Sequence, residues 1–101
     1  MPRWAARTDK THKSIVDALR AVGCSVVSLA GVGKGVPDIL AGRNGVTWLI
    51  EIKRPAGPKG GTSEKGQRLN EAQEKWRDAW RGGPVHVART PDEALRAVGA
   101  R

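Results

Sequence analysis

Val46 to Lys53, V-T-W-L-I-E-I-K, is the segment that most constrains what this chain can fold into. Alternation along a strand puts Trp48, Ile50 and Ile52 on one face and Leu49, Glu51 and Lys53 on the other. Both faces begin apolar, which describes a central strand covered on both sides. A carboxylate and an ammonium near the end of such a strand cost free energy unless they are paired or bind a metal. The chain must therefore cover two faces of a sheet and resolve a charge problem at one end of its middle strand.

The flanking segments supply that cover. Asp9, His12, Ile15, Val16, Leu19 and Val22 recur at three- and four-residue steps, which predicts a helix over 9–22 with Thr8 as N-cap and Gly23 as its stop. The stripe is apolar at its C-terminal end and polar where it carries Asp9 and His12. Strands are expected at 25–30 (S-V-V-S-L-A) and 37–41 (P-D-I-L-A), separated by the glycine loop G-V-G-K-G-V. Asn44-Gly45 is a hairpin turn signal. A second helix is expected over 69–80, with Leu69, Ala72, Gln73, Trp76 and Trp80 facing inward. A fourth strand follows at 84–88, with His86 as one of its side chains. Thr90-Pro91-Asp92-Glu93 reads as a capping box that opens a last helix ending near Val98. The order α-β-β-β-α-β-α gives an α/β fold, a mixed sheet with helices on both faces.

Residues 54–68, R-P-A-G-P-K-G-G-T-S-E-K-G-Q-R, read as a long mobile loop, a kind that compact domains keep for function or leave disordered. A chain of 101 residues is expected to be one domain, 1–101, with residues 1–8 as a basic arm. Trp4 in that arm has three open readings: stacking on DNA, sealing a dimer interface, or disorder. No apolar run approaches the length of a membrane span, and no apolar segment follows the basic N-terminus as in a signal peptide. The single cysteine, Cys24, allows no internal disulfide and no cysteine-based zinc site, so an intracellular setting is expected. Eighteen Lys and Arg against ten Asp and Glu leave a charge of +8, which points to a polyanionic partner, most simply nucleic acid. Gly31 to Gly35 hints at a phosphate loop, but lacks the spacing and the Ser/Thr of one, so no nucleotide cofactor is expected.

Counted outward from the Asn44-Gly45 turn, Asp38 and Glu51 come out six residues to either side and can lie side by side. Two carboxylates that close repel unless a cation sits between them. A hard divalent cation such as Mg²⁺ wants one or two carboxylates, a backbone carbonyl and retained waters. Taken singly, Asp38 also reads as an ordinary turn aspartate, and Glu51 with Lys53 as an ion pair at a sheet edge. The joint spacing favours a metal site.

G-V-P-D-I-L followed by W-L-I-E-I-K resembles the PD-(D/E)XK nuclease signature. The G-V-P-D form with a later helix glutamine is similar to its virus-type replication–repair (VRR-NUC) branch, often encoded by phages. The resemblance spans roughly residues 9–98 and implies the restriction-endonuclease-like αβββαβ core. It implies that Asp38 and Glu51 ligate Mg²⁺ or Mn²⁺, with the carbonyl of Ile52 as third ligand. Lys53 would orient or activate the attacking water, and Gln73 would support the site. The family usually has an acid, most often Glu, in its first helix. Asp9 is the match here, touching the metal directly or through a water. Asp17 falls off the stripe and is expected to be solvated. His12, Lys34, Arg54, Lys59 and Lys65 are candidates for contact with DNA phosphate.

The implied activity is metal-dependent endonucleolytic hydrolysis of DNA. One such domain holds one cutting centre, so a homodimer acting on branched DNA or Holliday junctions is the preferred reading, in a bacterial cell or a phage-infected host. The alternatives are a basic DNA-binding accessory module without catalysis and a nuclease of linear or nicked DNA.

Overall fold

A computed structural model describes residues 5–54 and 69–101, with side chains from Lys10 onward. The elements are α1 (Ala5–Ala21), β1 (Ser25–Ser28), β2 (Ile39–Arg43), β3 (Val46–Ile52), α2 (Glu71–Ala79), β4 (Val85–Ala88) and α3 (Pro91–Ala97). The sheet order is β1-β2-β3-β4. β2 pairs antiparallel with both β1 and β3, and β4 joins β3 in parallel. The sheet is thus mixed, and the chain has the restriction-endonuclease-like α/β architecture expected of it.

The first helix begins at Ala5, four residues ahead of Asp9, so Thr8 lies inside it and is not its N-cap. Ala5 and Ala6 are strong helix formers and nothing between them and Asp9 breaks the helix, so the polar start of the stripe does not mark the start of the helix. Both α1 and α3 end in the same hydrogen-bond pattern. Gly23 and Cys24 donate back to the carbonyls of Arg20 and Leu19, and Gly99 and Ala100 to those of Arg96 and Leu95. Thr90 caps α3 through its hydroxyl, 3.1 Å from the Glu93 N–H. The reciprocal bond goes one residue further out than in a standard box, from the Arg89 N–H to Glu93 Oε1 at 2.8 Å.

The core lies on one face of the sheet. Ile15 and Leu19 from α1 and Ala94 and Val98 from α3 bury against Ile39, Ala41, Ile50 and Ile52, with Cys24 and Ala88 at the margin. Trp48 is half-buried beside this cluster. Burial pushes the Cys24 thiol up, against the opposing charge of Arg43, which suits a packing residue and not a nucleophile. Arg43 ties the ends of the two core helices together, donating to the carbonyls of Val22 at 3.2 Å and Val98 at 3.4 Å.

α2 covers the opposite face more loosely, and none of its residues is buried. Leu69, Ala72, Trp76 and Trp80 therefore do not form a buried stripe. Trp76 and Trp80 stack on each other, with ring centroids 4.7 Å apart and planes 16° from parallel. Together they line an apolar cavity with Leu29, Val36, Leu40 and Leu49, and Trp80 stays 46% exposed. Periodicity gave the side that Gln73 and Trp76 face, but not how little of it is covered: Ala72 and Trp80 are exposed.

No helix among the described residues is long and apolar enough to cross a membrane. The proposed 54–68 loop lies, apart from Arg54, outside the described residues.

Candidate active site

The site is built by one turn. Asn44 and Gly45 both take left-handed backbone angles, φ 53 and 78, as a two-residue hairpin turn of matching twist requires. That turn fixes the β2–β3 register, which pairs Arg43 with Val46 and ends with Ile39 opposite Ile50. Continuing it by one residue places Asp38 opposite Glu51. Asp38 stands just before β2, not within it as the sequence suggested. Pro37 cannot donate to the ladder, and the Asp38 carbonyl accepts instead from the Leu29 N–H at 2.7 Å.

Asp38 is anchored across the hairpin, its carboxylate accepting from the Ile52 N–H at 2.7 Å. Glu51 is 3% exposed and is the buried charged residue of the described core. It accepts from Gln73 Nε2 through Oε2 at 2.7 Å. Burial pushes the Glu51 carboxyl up from 4.5 to about 8, reinforced by the hydrogen bond and the negative charge of Asp38 and opposed by the Lys53 ammonium and the Gln73 amide. A cation between the two carboxylates would offset the repulsion that Asp38 exerts on Glu51.

Lys53 is half-buried and directs its charge at Glu51. Its backbone N–H donates to the Ala88 carbonyl at 3.0 Å, which holds the end of β3 against β4. The structure thus brings Asp38, Glu51, Ile52, Lys53 and Gln73 into one cluster at the end of the central strands. Among the described residues no third His, Cys, Asp or Glu joins Asp38 and Glu51.

Among the described residues, none of the other expected side chains is hydrogen-bonded to this cluster. The Asp9 side chain, Lys59 and Lys65 lie outside the described residues. Asp17 is exposed and pairs with Lys13 at 2.7 Å. His12 opens onto a different cleft, beside Lys13, Asp17, Arg20, Ser28 and Ile39. No hydrogen bond among the described residues joins it to Asp38 or Glu51. Lys34 and Arg54 are exposed, and Lys34 holds a left-handed φ of 58 in the loop leading to Asp38.

Two contributors were given no role in the site from the sequence. Asn70 is the N-cap of α2, and its side chain and that of Gln73 form a reciprocal capping box at 2.9 Å each way. The Asn-x-x-Gln spacing carried that signal, but a helix start placed at Leu69 hid it. Gly35, in the glycine loop, presses against the backbone of Ala72 and Gln73. Only the fold reveals that contact.

The sequence profile of the archaeal Holliday junction resolvase (Hjc) family matches residues 5–62, more than half of the chain. The chain belongs to the archaeal Holliday junction resolvase family. That family is a branch of the PD-(D/E)XK nucleases. The matched residues include Asp38, Glu51 and Lys53, whereas Asn70 and Gln73 lie beyond them. No curated protein and no solved structure matches the chain.

Proposed function

We propose that this resolvase-family chain is a divalent-metal-dependent endonuclease that hydrolyses phosphodiester bonds in branched DNA, four-way junctions above all. The Asp38–Glu51 pair, with Glu51 buried and Asp38 partly buried, carries the reading. Two neighbouring carboxylates, one of them 3% exposed, repel each other, a cost that an ion held between them would offset. Their oxygens are the hard donors that Mg²⁺ or Mn²⁺ takes. Asp38, Glu51 and the Ile52 carbonyl would hold the ion, with Asp9 as a further ligand, directly or through a water. When bound, the ion supplies positive charge at the scissile phosphate and acidifies the attacking water.

This chain's own residues do the rest. Lys53 places a fixed cation where negative charge develops and orients the water. Gln73 holds the Glu51 carboxylate. Lys34, Arg54, Lys59, Lys65 and His12 line up the DNA backbone by phosphate contacts that carry no sequence information. The product is a strand cut to a 5′-phosphate and a 3′-hydroxyl.

A junction needs two paired incisions and residues 1–101 form one domain with one cutting centre, so the working form is a homodimer related by a two-fold axis. The setting is intracellular, in the cytoplasm of a bacterial or phage-infected cell. The kinship with the virus-type branch and with phage enzymes rests on Gly35 to Asp38 and Gln73.

The test compares cutting of a four-way junction, a flap and a linear duplex, alongside binding to each. Asp38→Ala should abolish cutting and leave binding intact, because it removes charge repulsion toward phosphate. Equal cutting of linear duplex would replace the junction reading with an end- or nick-directed nuclease. Binding without cutting by folded wild type would leave a DNA-binding accessory module.

A further inference from the structure

Gln73 uses both ends of its amide. Oε1 accepts from the Asn70 N–H at 2.9 Å, and Nε2 donates to Glu51 Oε2 at 2.7 Å. The first bond dictates the second: with the carbonyl end held by the helix cap, only the donor end can face the carboxylate. A capping box accepts Glu as readily as Gln at this position. Only Gln gives the cap an acceptor and Glu51 a donor at once.

The helix that carries this amide has no buried residue, and it meets the sheet side through Gln73 and through Trp76, which lines the apolar cavity. Its seat is Gly35. A Cβ there would overlap the Ala72 carbonyl oxygen, and would lie 2.6 Å from its carbon and 3.1 Å from the Gln73 nitrogen. All three are backbone atoms and cannot swing aside. Gly35 also sits at φ 84, which any side chain would strain. The loop that leads into Asp38 is thereby pressed onto the turn of helix that presents Gln73.

We propose that Asn70 and Gly35 are positioning residues for the cutting centre: the cap fixes which end of the Gln73 amide meets Glu51, and the glycine sets how close the helix comes. The inference rests on the nuclease reading for its catalytic consequence, but the arrangement can be measured without it.

The experiment uses the full chain with Asn70→Ala, Asn70→Ser, Gln73→Glu and Gly35→Ala, beside Glu51→Gln as control. Junction cleavage is measured against Mg²⁺ concentration, DNA binding in EDTA, and the Gln73 side-chain amide protons by NMR. Asn70→Ala should lower cleavage about fivefold to tenfold, the loss of one cap, and raise the Mg²⁺ needed for half-maximal rate. DNA binding should not change. Asn70→Ser, which restores a cap acceptor, should recover wild-type cutting. Gln73→Glu keeps the box and the helix yet should lose cutting more severely than Asn70→Ala. Gly35→Ala should shift the amide signals of Gln73.

Wild-type cleavage by Asn70→Ala or Gln73→Glu, or failure of Asn70→Ser to rescue, would overturn the proposal. If wild type itself does not cut, the nuclease reading falls. The Gln73 amide protons then decide: signals unchanged between wild type and Asn70→Ala refute the positioning role, and a shift restored by Asn70→Ser supports it.

Discussion

Replacing Glu51 with Gln should make the metal-free protein more stable at alkaline pH, although it removes a site residue. The buried carboxyl titrates at about 8, against 4.5 for an exposed one. Between those values the native state holds a proton that the unfolded chain has lost. Stability therefore falls as pH rises through that window, and the loss is complete above about pH 8. At about 1.4 kcal/mol for each pH unit, the window amounts to at most about 5 kcal/mol, and entry of water toward the carboxylate reduces it. The amide that replaces the carboxyl can still accept from Gln73 and can donate to Asp38, as the protonated acid does, without ever ionising. The assay is urea denaturation of wild type and Glu51→Gln in EDTA from pH 5 to 9. All other titrating groups are common to both chains, so the difference between the curves isolates residue 51. It should widen up to about pH 8, then level off, and reach at least about 2 kcal/mol in favour of the variant by pH 9. Parallel curves would refute the claim that the Asp38–Glu51 pair is a site of stored repulsion.

Other expectations follow from the same geometry. Mg²⁺ affinity, followed by calorimetry, should rise roughly tenfold per pH unit below about 8 and then level off, because the cation displaces one proton. Lys34→Gly should raise the unfolding free energy by up to about 1 kcal/mol, by relieving a left-handed lysine, while weakening junction binding in a gel-shift titration. Arg43→Met should cost about 1–3 kcal/mol in urea unfolding, because the carbonyls of Val22 and Val98 lose their donor. Binding of Glu51→Ala to junction DNA should fall steeply and linearly on a log–log plot against salt, and a flat response would argue against phosphate contacts.

The Asp38–Glu51 pairing was legible because a two-residue turn at Asn44-Gly45 leaves one register, and a strand apolar on both faces leaves few ways to place its terminal Glu. Gln73 was legible from spacing only as a polar group in an apolar stripe, and its supporting role came from the family resemblance. What it touches depends on the Asn70 cap, and the cap on where the helix starts, which periodicity does not define. The first helix shows the same limit: its stripe begins at Asp9, but its backbone begins at Ala5, where alanines need no amphipathic pattern to be helical. Trp80 marks a different gap. A tryptophan one turn from another reads as core, yet here the two pair with each other over an apolar cavity and leave the outer ring 46% exposed. Spacing says which residues share a face and nothing of how deeply that face is covered. Gly35 belongs to a third kind, a contact between segments far apart in sequence that no local pattern records.

The most direct test of the central claim is cleavage of a labelled four-way junction beside a matched linear duplex, with Mg²⁺, Mn²⁺ or EDTA, by wild type and by Glu51→Ala. Metal-dependent cutting, preferential for the junction and absent from the variant, is the predicted result. Cutting that persists in EDTA or in Glu51→Ala would contradict the assignment of the Asp38–Glu51 pair as the cutting centre.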